Sequence, residues 1–153
     1  MDKKEEESIN IYVDGVFDLL HKGHINMFNN TKIHTEKEFL NKNINIIVGL
    51  VTDKDAESYK RTPILTYQER KDMLLACKYI HTVVESPPLY LSEEFIENHN
   101  IHLVFHGNDN LFEEYYKVAI QKGIMRYIPY TQGVSTTDII CRIIERETTY
   151  STT

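Results

Sequence analysis

The sequence predicts an α/β fold built on a parallel, doubly wound sheet. Three observations lead there. Short apolar runs recur along the chain, and a stretch of helical character separates each from the next. The longest run, residues 44–52 (Ile-Asn-Ile-Ile-Val-Gly-Leu-Val-Thr), is β-branched and mostly apolar, as a strand covered on both faces should be. Strand and helix signals alternate from one end of the chain to the other, the pattern of a parallel sheet.

Taken in order, residues 9–13 form the first strand. The chain turns at Gly15, and a helix runs from about His21 to Lys32. The polar stretch from Thr31 to Asn43 is longer than a compact connection needs and reads as an extended helix end. After the strand at 44–52, residues 66–77 read as a helix. Thr66 is placed to cap it, Glu69 sits at the capping-box position, and Met73, Leu74 and Cys77 form an apolar stripe. Residues 81–84 are a short strand, and Ser92 opens a helix containing Glu94, Phe95 and Ile96. Residues 103–106 are a strand ending at Gly107. Residues 113–122 are helical, with Gly123 as C-cap. Residues 125–129 are the last strand before a final helix. No internal repeat is present. In such sheets ligands bind beyond the carboxyl ends of the strands, where the strand order reverses. The loops after Val13, Val51, Phe105 and Pro129 are therefore where function is expected.

A chain of 153 residues suits a single domain, assigned to residues 9–147. An acidic tail, residues 1–8 with Glu5-Glu6-Glu7, precedes it, and residues 148–153 follow as a C-terminal tail. The net charge of −6 argues against non-specific nucleic-acid binding, which needs a basic footprint. No apolar run approaches membrane-spanning length and no signal peptide opens the chain, so no stable membrane anchor is expected. Two cysteines, Cys77 and Cys141, far apart and outside any CxxC arrangement, fit a reducing compartment. A soluble, cytoplasmic domain is the expectation.

Two segments carry the chemistry. His21 and His24 lie three residues apart at the start of the first helix, on one face and about one turn apart. That helix end carries unpaired N–H groups and roughly half a positive charge, a compact site for a polyphosphate. A surface face or a metal site is the alternative. A metal usually takes at least three protein ligands, which this pair does not supply, so no protein metal site is expected. Gly15, Phe17, Asp18 and Gly23 bracket the two imidazoles. The second segment is Thr131-Gln132-Gly133-Val134-Ser135-Thr136-Thr137-Asp138, followed by an apolar helix. An ordinary helix cap needs one of these hydroxyls; three in a row supply more donors than capping uses. The two helix N-termini are expected to converge on one triphosphate.

These segments resemble the signatures of the cytidylyltransferase branch of the nucleotidyltransferase superfamily, a HxGH loop and an RTxGxSTT loop. The similarity runs from about Asn10 to Arg146, with matching order and spacing. The resemblance implies a Rossmann-like sheet with helices on both faces. It implies transfer of CMP from CTP to a phosphorylated alcohol, with pyrophosphate released, Mg²⁺ accompanying CTP, and a homodimer. His21, His24 and Lys60 correspond to catalytic positions, and Arg61 could substitute for Lys60 or assist it. Gly15, Val16, Phe17, Gly23, Gly107, Asp109, Thr131, Gly133, Val134, Ser135, Thr136 and Thr137 correspond to CTP-binding positions. Gly15 and Gly23 are expected to let the backbone approach the nucleotide. Asp14, Arg70, His106 and Asn108 correspond to acceptor-binding positions.

Asp14 bears on the acceptor. A carboxylate beside the site is sensible only if the acceptor carries a cation, because it would repel glycerol phosphate. His106-Gly107-Asn108-Asp109 and Thr131-Gln132-Gly133-Val134 resemble the ethanolamine-phosphate form of the family. The chain has no tryptophan for a quaternary-ammonium cage, Leu89 standing after Pro87-Pro88, although Tyr90 and Phe112 could form a partial one. Asp14, Asn108 and Asp109 would suit a primary ammonium. The reading leans to phosphoethanolamine, while residues 91–96 are choline-like. The single domain also counts against phosphoethanolamine, because its enzymes usually carry two in tandem. Glycerol-3-phosphate transfer and a degenerate nucleotide-binding module are the alternatives.

Two departures stand out. Tyr130 replaces the arginine that normally precedes the Thr of the second signature, and Arg126 is the candidate to compensate. The family's dimer segment reads Lys78-Tyr79-Ile80-His81-Thr82-Val83, which alters the expected dimer contacts. No long amphipathic lipid-sensing helix is present, so lipid activation is not expected.

Overall fold

The computed structural model describes residues 7–108 and 113–147. In chain order the elements are β1 (Ser8–Gly15), α1 (Lys22–Glu38), β2 (Asn43–Leu50), α2 (Asp53–Tyr59), α3 (Tyr67–Leu75) and β3 (Thr82–Glu85). Then follow α4 (Glu93–Asn98), β4 (Leu103–Gly107), a 3₁₀ turn (Glu113–Tyr116), α5 (Lys117–Gln121), β5 (Met125–Ile128) and α6 (Thr136–Glu145). The strands pair in the order β3-β2-β1-β4-β5, all parallel. The order reverses between β1 and β4, so the crevice expected to hold ligand opens at Gly15 and Gly107.

Alternation along the central strand divides the core in two. Ile9, Ile11 and Val13 pack on one face with Phe28 of α1 and Leu74 of α3. Tyr12 points to the other face, with Ile96 of α4, Ala119 of α5 and Tyr116. Each fully buried large apolar side chain contributes about 1.5–3 kcal/mol. Helices on both faces of a doubly wound parallel sheet are thus the observed architecture.

Set beside the sequence expectation, some elements agree and others differ, each for a local reason. The polar stretch after Lys32 continues α1 to Glu38. Thr31 and Thr35 are fully buried there because their hydroxyls donate to the carbonyls of Phe28 and Thr31, both at 2.8 Å. A short helix, α2, was not expected; Thr52 caps it by accepting from the N–H of Asp55 at 3.2 Å. In α3 the predicted Thr66–Glu69 capping box is present. Of the predicted stripe, Leu74 is buried, Cys77 half-buried and Met73 exposed. Residues 113–116 wind as 3₁₀ rather than α. Among the described residues no helix is long and apolar enough to cross a membrane.

Candidate active site

The loop from β1 to α1 is sharply turned, with Phe17 and Leu19 at φ of 51° and 49°. Neither is glycine, so this turn holds strain of about 1–3 kcal/mol per residue. It folds the Phe17 ring back over Gly15, and a Cβ on that glycine would meet the ring at 3.0 Å. The Phe17 ring also packs edge-on to His24, centroids 5.5 Å apart. Gly23 is similarly filled: a Cβ there would stand 2.8 Å from Cε1 of His21. Both glycines thus make room for the protein's own rings, where the sequence suggested room for the nucleotide.

His21 and His24 form a capping box. His21 is the N-cap, and its Nδ1 accepts from the N–H of Gly23 at 3.0 Å. Nδ1 of His24 accepts from the N–H of His21 at 3.1 Å. The rings stack 3.8 Å apart. This fixes the tautomer, because an Nδ1 that accepts leaves the proton on Nε2. Each ring therefore presents an Nε2–H donor. Protonation would cost the cap, and burial opposes it further. Burial, then the nearby His21 and Lys60, hold the pKa of His24 down at about 3, partly opposed by Asp18. Burial also lowers that of His21. Both imidazoles are neutral at pH 7.

At the second segment a single hydroxyl does the capping. Ser135 is the N-cap of α6, its Oγ accepting from the N–H of Asp138 at 3.0 Å. Thr136 instead donates to the carbonyl of Asp18 at 3.2 Å and meets Nε2 of His21 at 3.3 Å. Thr137 accepts from Nη1 of Arg61 at 3.1 Å, and Thr131 accepts from Nδ2 of Asn26 on α1 at 3.1 Å. The two helix N-termini do converge, on a cavity of about 480 Å³ at the carboxyl ends of the central strands. Gly15, Val16, Phe17, His21, Gly23, His24, Lys60, Gly107, Thr131, Val134, Ser135, Thr136 and Thr137 all line it, as does Arg61.

Asp18, which the sequence placed beside the imidazoles without giving it a role, is an anchor. It is 5% exposed, and its carboxylate accepts from the N–H groups of Ile64 and Leu65 at 2.7 and 2.9 Å. These bonds pin the segment that carries Lys60 and Arg61 against the α1 turn. A lone aspartate at 46 residues' separation from its partner gives no local signal.

The opposite wall of the same cavity is aromatic and acidic. Asp14, at the end of β1, accepts from the hydroxyl of Tyr116. That hydroxyl is 3.2 Å from Nδ1 of His106. Since its proton goes to Asp14, His106 must donate, giving the chain His106 to Tyr116 to Asp14. Burial raises the Asp14 pKa, while the Tyr116 hydrogen bond and His106 oppose the rise. Tyr59, Tyr115 and Tyr116 line this wall with Asp14. Burial, then Asp14, push the Tyr59 phenol up to about 12. Tyr115 meets Tyr59 edge-on at 6.3 Å and Tyr90 at 4.8 Å. Tyr90, which the sequence suggested as a cage residue, backs Tyr115 and is absent from the lining. The three lining tyrosines were missed; the hint available was the Tyr115-Tyr116 pair, nine and ten residues past His106.

Some expected residues lie elsewhere. Arg70 is fully buried and outside the lining. It donates to the carbonyls of Val16 and Val51 at 2.8 and 2.9 Å and pairs with Asp53, tying two strand-end loops together. Asn108 is exposed and outside the lining, its N–H bonded to the carbonyl of Ile128 at 3.2 Å. Gly133 is also outside the lining and serves the backbone, with φ of +77°. Arg126 does not compensate for Tyr130: it pairs with Glu38 at 2.6 Å. The Tyr130 ring covers Gly107, where a Cβ would stand 2.1 Å from Tyr130 Cζ. Asp109, Phe112 and the two tails, apart from residues 7 and 8, lie outside the described residues. No three described His, Cys, Asp or Glu side chains gather to hold a metal ion.

Neutral N–H donors, hydroxyls and two helix N-termini meet at the switch point of a parallel sheet, an arrangement chemically suited to an anionic ligand. Residues 12–142 match the Cytidylyltransferase-like family, and the chain belongs to it. It is 35% identical over 150 residues to a probable choline-phosphate cytidylyltransferase of Schizosaccharomyces pombe, covering 94% of this chain and 39% of that protein. It is 32% identical over 143 residues to an ethanolamine-phosphate cytidylyltransferase of Dictyostelium discoideum, covering 91% and 38%. The chain thus spans about two fifths of these relatives. The fold is shared with a lipopolysaccharide core biosynthesis protein from Thermoplasma volcanium, with TM-score 0.60 and 20% identity over 80% of this chain and 98% of that one.

Proposed function

We propose that this protein transfers CMP from CTP to a phosphorylated amino alcohol, phosphocholine in preference to phosphoethanolamine, and releases pyrophosphate. One observation carries the reading. A single cavity joins a polyphosphate half, at His21, His24 and the Ser135–Thr137 hydroxyls, to a cation half, at Asp14 and three tyrosines. The nucleotide fits the first half and a positively charged head group the second. The preference comes from the donor inventory. A primary ammonium has three N–H donors to satisfy. Of the acceptors Asp14, Asn108 and Asp109 that favoured phosphoethanolamine, Asp14 lines the cavity, Asn108 does not, and Asp109 lies outside the described residues. The second lining carboxylate, Asp18, is committed to Ile64 and Leu65. Aromatic rings with one counter-charge suit a trimethylammonium group.

In the reaction, a phosphate oxygen of the acceptor attacks the α-phosphorus of CTP. The bond to the bridging oxygen breaks, and pyrophosphate leaves with the electron pair. The Nε2–H groups of His21 and His24 donate to oxygens whose charge grows in the transition state, and their caps hold them in place beforehand. Lys60 supplies positive charge beside His24. Mg²⁺ belongs to this proposal as a companion of CTP. When bound it would neutralise phosphate charge; no three-ligand group of His, Cys, Asp or Glu is present among the described residues. A homodimer and a cytoplasmic setting belong to the same proposal.

The test is pyrophosphate release with CTP, Mg²⁺ and, in turn, phosphocholine, phosphoethanolamine and glycerol 3-phosphate. Release should be fastest with phosphocholine and slowest with glycerol 3-phosphate. CTP binding without release for every acceptor would sink the enzyme reading and leave a nucleotide-binding module, which the loss of arginine at Tyr130 makes a concrete alternative.

A further inference from the structure

The polyphosphate half of the cavity is short of positive charge. Both imidazoles are held neutral by their caps. The position before Thr131 is Tyr130, whose ring lies on Gly107, and Arg126 is engaged by Glu38. Among the described lining residues the lysines and arginines are Lys60 and Arg61. Each helix N-terminus adds only about half a charge. A triphosphate entering this space meets two full cations, so what each of them faces matters.

The two are aimed differently. The charge of Lys60 acts on His24, at the inner helix end. Arg61, the next residue, reaches α6, where its Nη1 donates to Thr137 Oγ1 at 3.1 Å. That bond links positions 76 residues apart across the cavity mouth. Thr137 takes one N–H of a guanidinium that has five, and the planar fork matches phosphate oxygens in pairs. The segment bearing Arg61 is held in place by Asp18, so its approach to α6 is set by a buried anchor. α6 buries no residue, and its N-terminal residues Ser135, Thr136 and Thr137 line the cavity beside Arg61.

We propose that Arg61 is the pyrophosphate-end residue of this protein: its guanidinium takes the β- and γ-phosphates of CTP at the N-terminus of α6 and stabilises pyrophosphate as it leaves. Arg61 thereby supplies the guanidinium that Tyr130 does not. The inference rests on the reading of the cavity as a CTP site. In the transfer, the Pα–O bond to the bridging oxygen breaks and its electron pair stays on pyrophosphate. Arg61 meets that growing charge, while Lys60 stays with the reacting phosphorus.

The experiment is calorimetric titration of CTP, CMP and inorganic pyrophosphate, each with Mg²⁺, into the wild-type chain and into Arg61→Gln and Arg61→Lys. A thermal melt of each variant checks the fold. Because CMP lacks the β- and γ-phosphates, it separates the two ends of the nucleotide. Arg61→Gln should weaken pyrophosphate and CTP at least tenfold and leave CMP within twofold, with Arg61→Lys in between. Pyrophosphate affinity unchanged in Arg61→Gln, or an equal loss for CMP and CTP, would overturn the assignment while leaving the CTP reading intact. A folded wild-type chain that binds neither CTP nor pyrophosphate would overturn both.

Discussion

At the N-terminus of α1 two stacked imidazoles cap the backbone N–H groups of His21 and Gly23, and one turn later Phe28 is fully buried in the core. At the N-terminus of α6 one serine hydroxyl caps the helix, and none of its ten residues is buried. The two ends face the same cavity and use the same backbone device, yet they differ in what holds them. The first is fixed by packing and by strained turn residues. The second is held by a few polar contacts, Thr136 to Asp18 and His21, and Thr137 to Arg61. Preorganised donors are worth most where charge develops, so the rigid end suits the transition state. The rim-held end suits binding and release of the outer phosphates.

The largest effect expected from breaking this contrast is at the rigid end. His24→Ala removes a preorganised donor and half of the capping box, and should lower kcat by about 2.7–4 kcal/mol, roughly a hundredfold to a thousandfold. The acceptor KM should move little, and steady-state rates check both. Near-normal turnover in His21→Ala and His24→Ala alike would make the pair purely structural.

Next in size, Asp14→Asn should raise the acceptor KM by about 1.5–3 kcal/mol for cationic acceptors while leaving CTP affinity unchanged. Discrimination against glycerol 3-phosphate should shrink. A uniform loss of kcat across acceptors would instead point to a turn-capping or metal-related role for Asp14.

The pH dependence of stability sharpens the same contrast. His24 titrates near 3 when folded and near 6.5 when unfolded, so between those values the unfolded chain binds the extra proton. Stability should therefore be full above about pH 6.5 and fall as the pH drops toward 3, by at most about 1.4 kcal/mol per pH unit from this group. Denaturant melts of wild type and His24→Gln across that range would show it, with the slope reduced in the variant. Equal slopes would mean that His24 is not held neutral.

The smallest effects separate capping from ligand contact at α6. Ser135→Ala should cost about 1 kcal/mol or less of stability and little CTP affinity. Thr136→Ala keeps the cap and should loosen CTP by more than Ser135→Ala does, without unfolding the domain. The reverse pattern would show that the segment serves only the helix.

Much of the fold was legible because its signals are local. The Thr66–Glu69 capping box, the Ser92 cap and the β-branched run of β2 act within four residues or along one strand, and all appear where the sequence places them. The stretch after Lys32 extends the helix as expected; what the sequence did not show is the burial of Thr31 and Thr35, whose hydroxyls bond to carbonyls of their own helix. The two helix starts that line the cavity were also legible, each being a glycine, hydroxyl or imidazole pattern at the start of a helix.

What the sequence determined by itself is therefore the five strands, most of the helices, the parallel sheet they imply, and the two helix starts that line the cavity. The tertiary structure alone decided which side chains meet. It brought Thr136 to His21 across 115 residues and Tyr116 to Asp14 across 102. It buried Arg70 under two carbonyls, spent Arg126 on Glu38 and turned Arg61 to the mouth of the cavity. The reason is physical. Periodicity and capping are properties of neighbours in the chain, whereas the destination of a long charged side chain depends on strand order and on which carbonyls and carboxylates that order brings within reach.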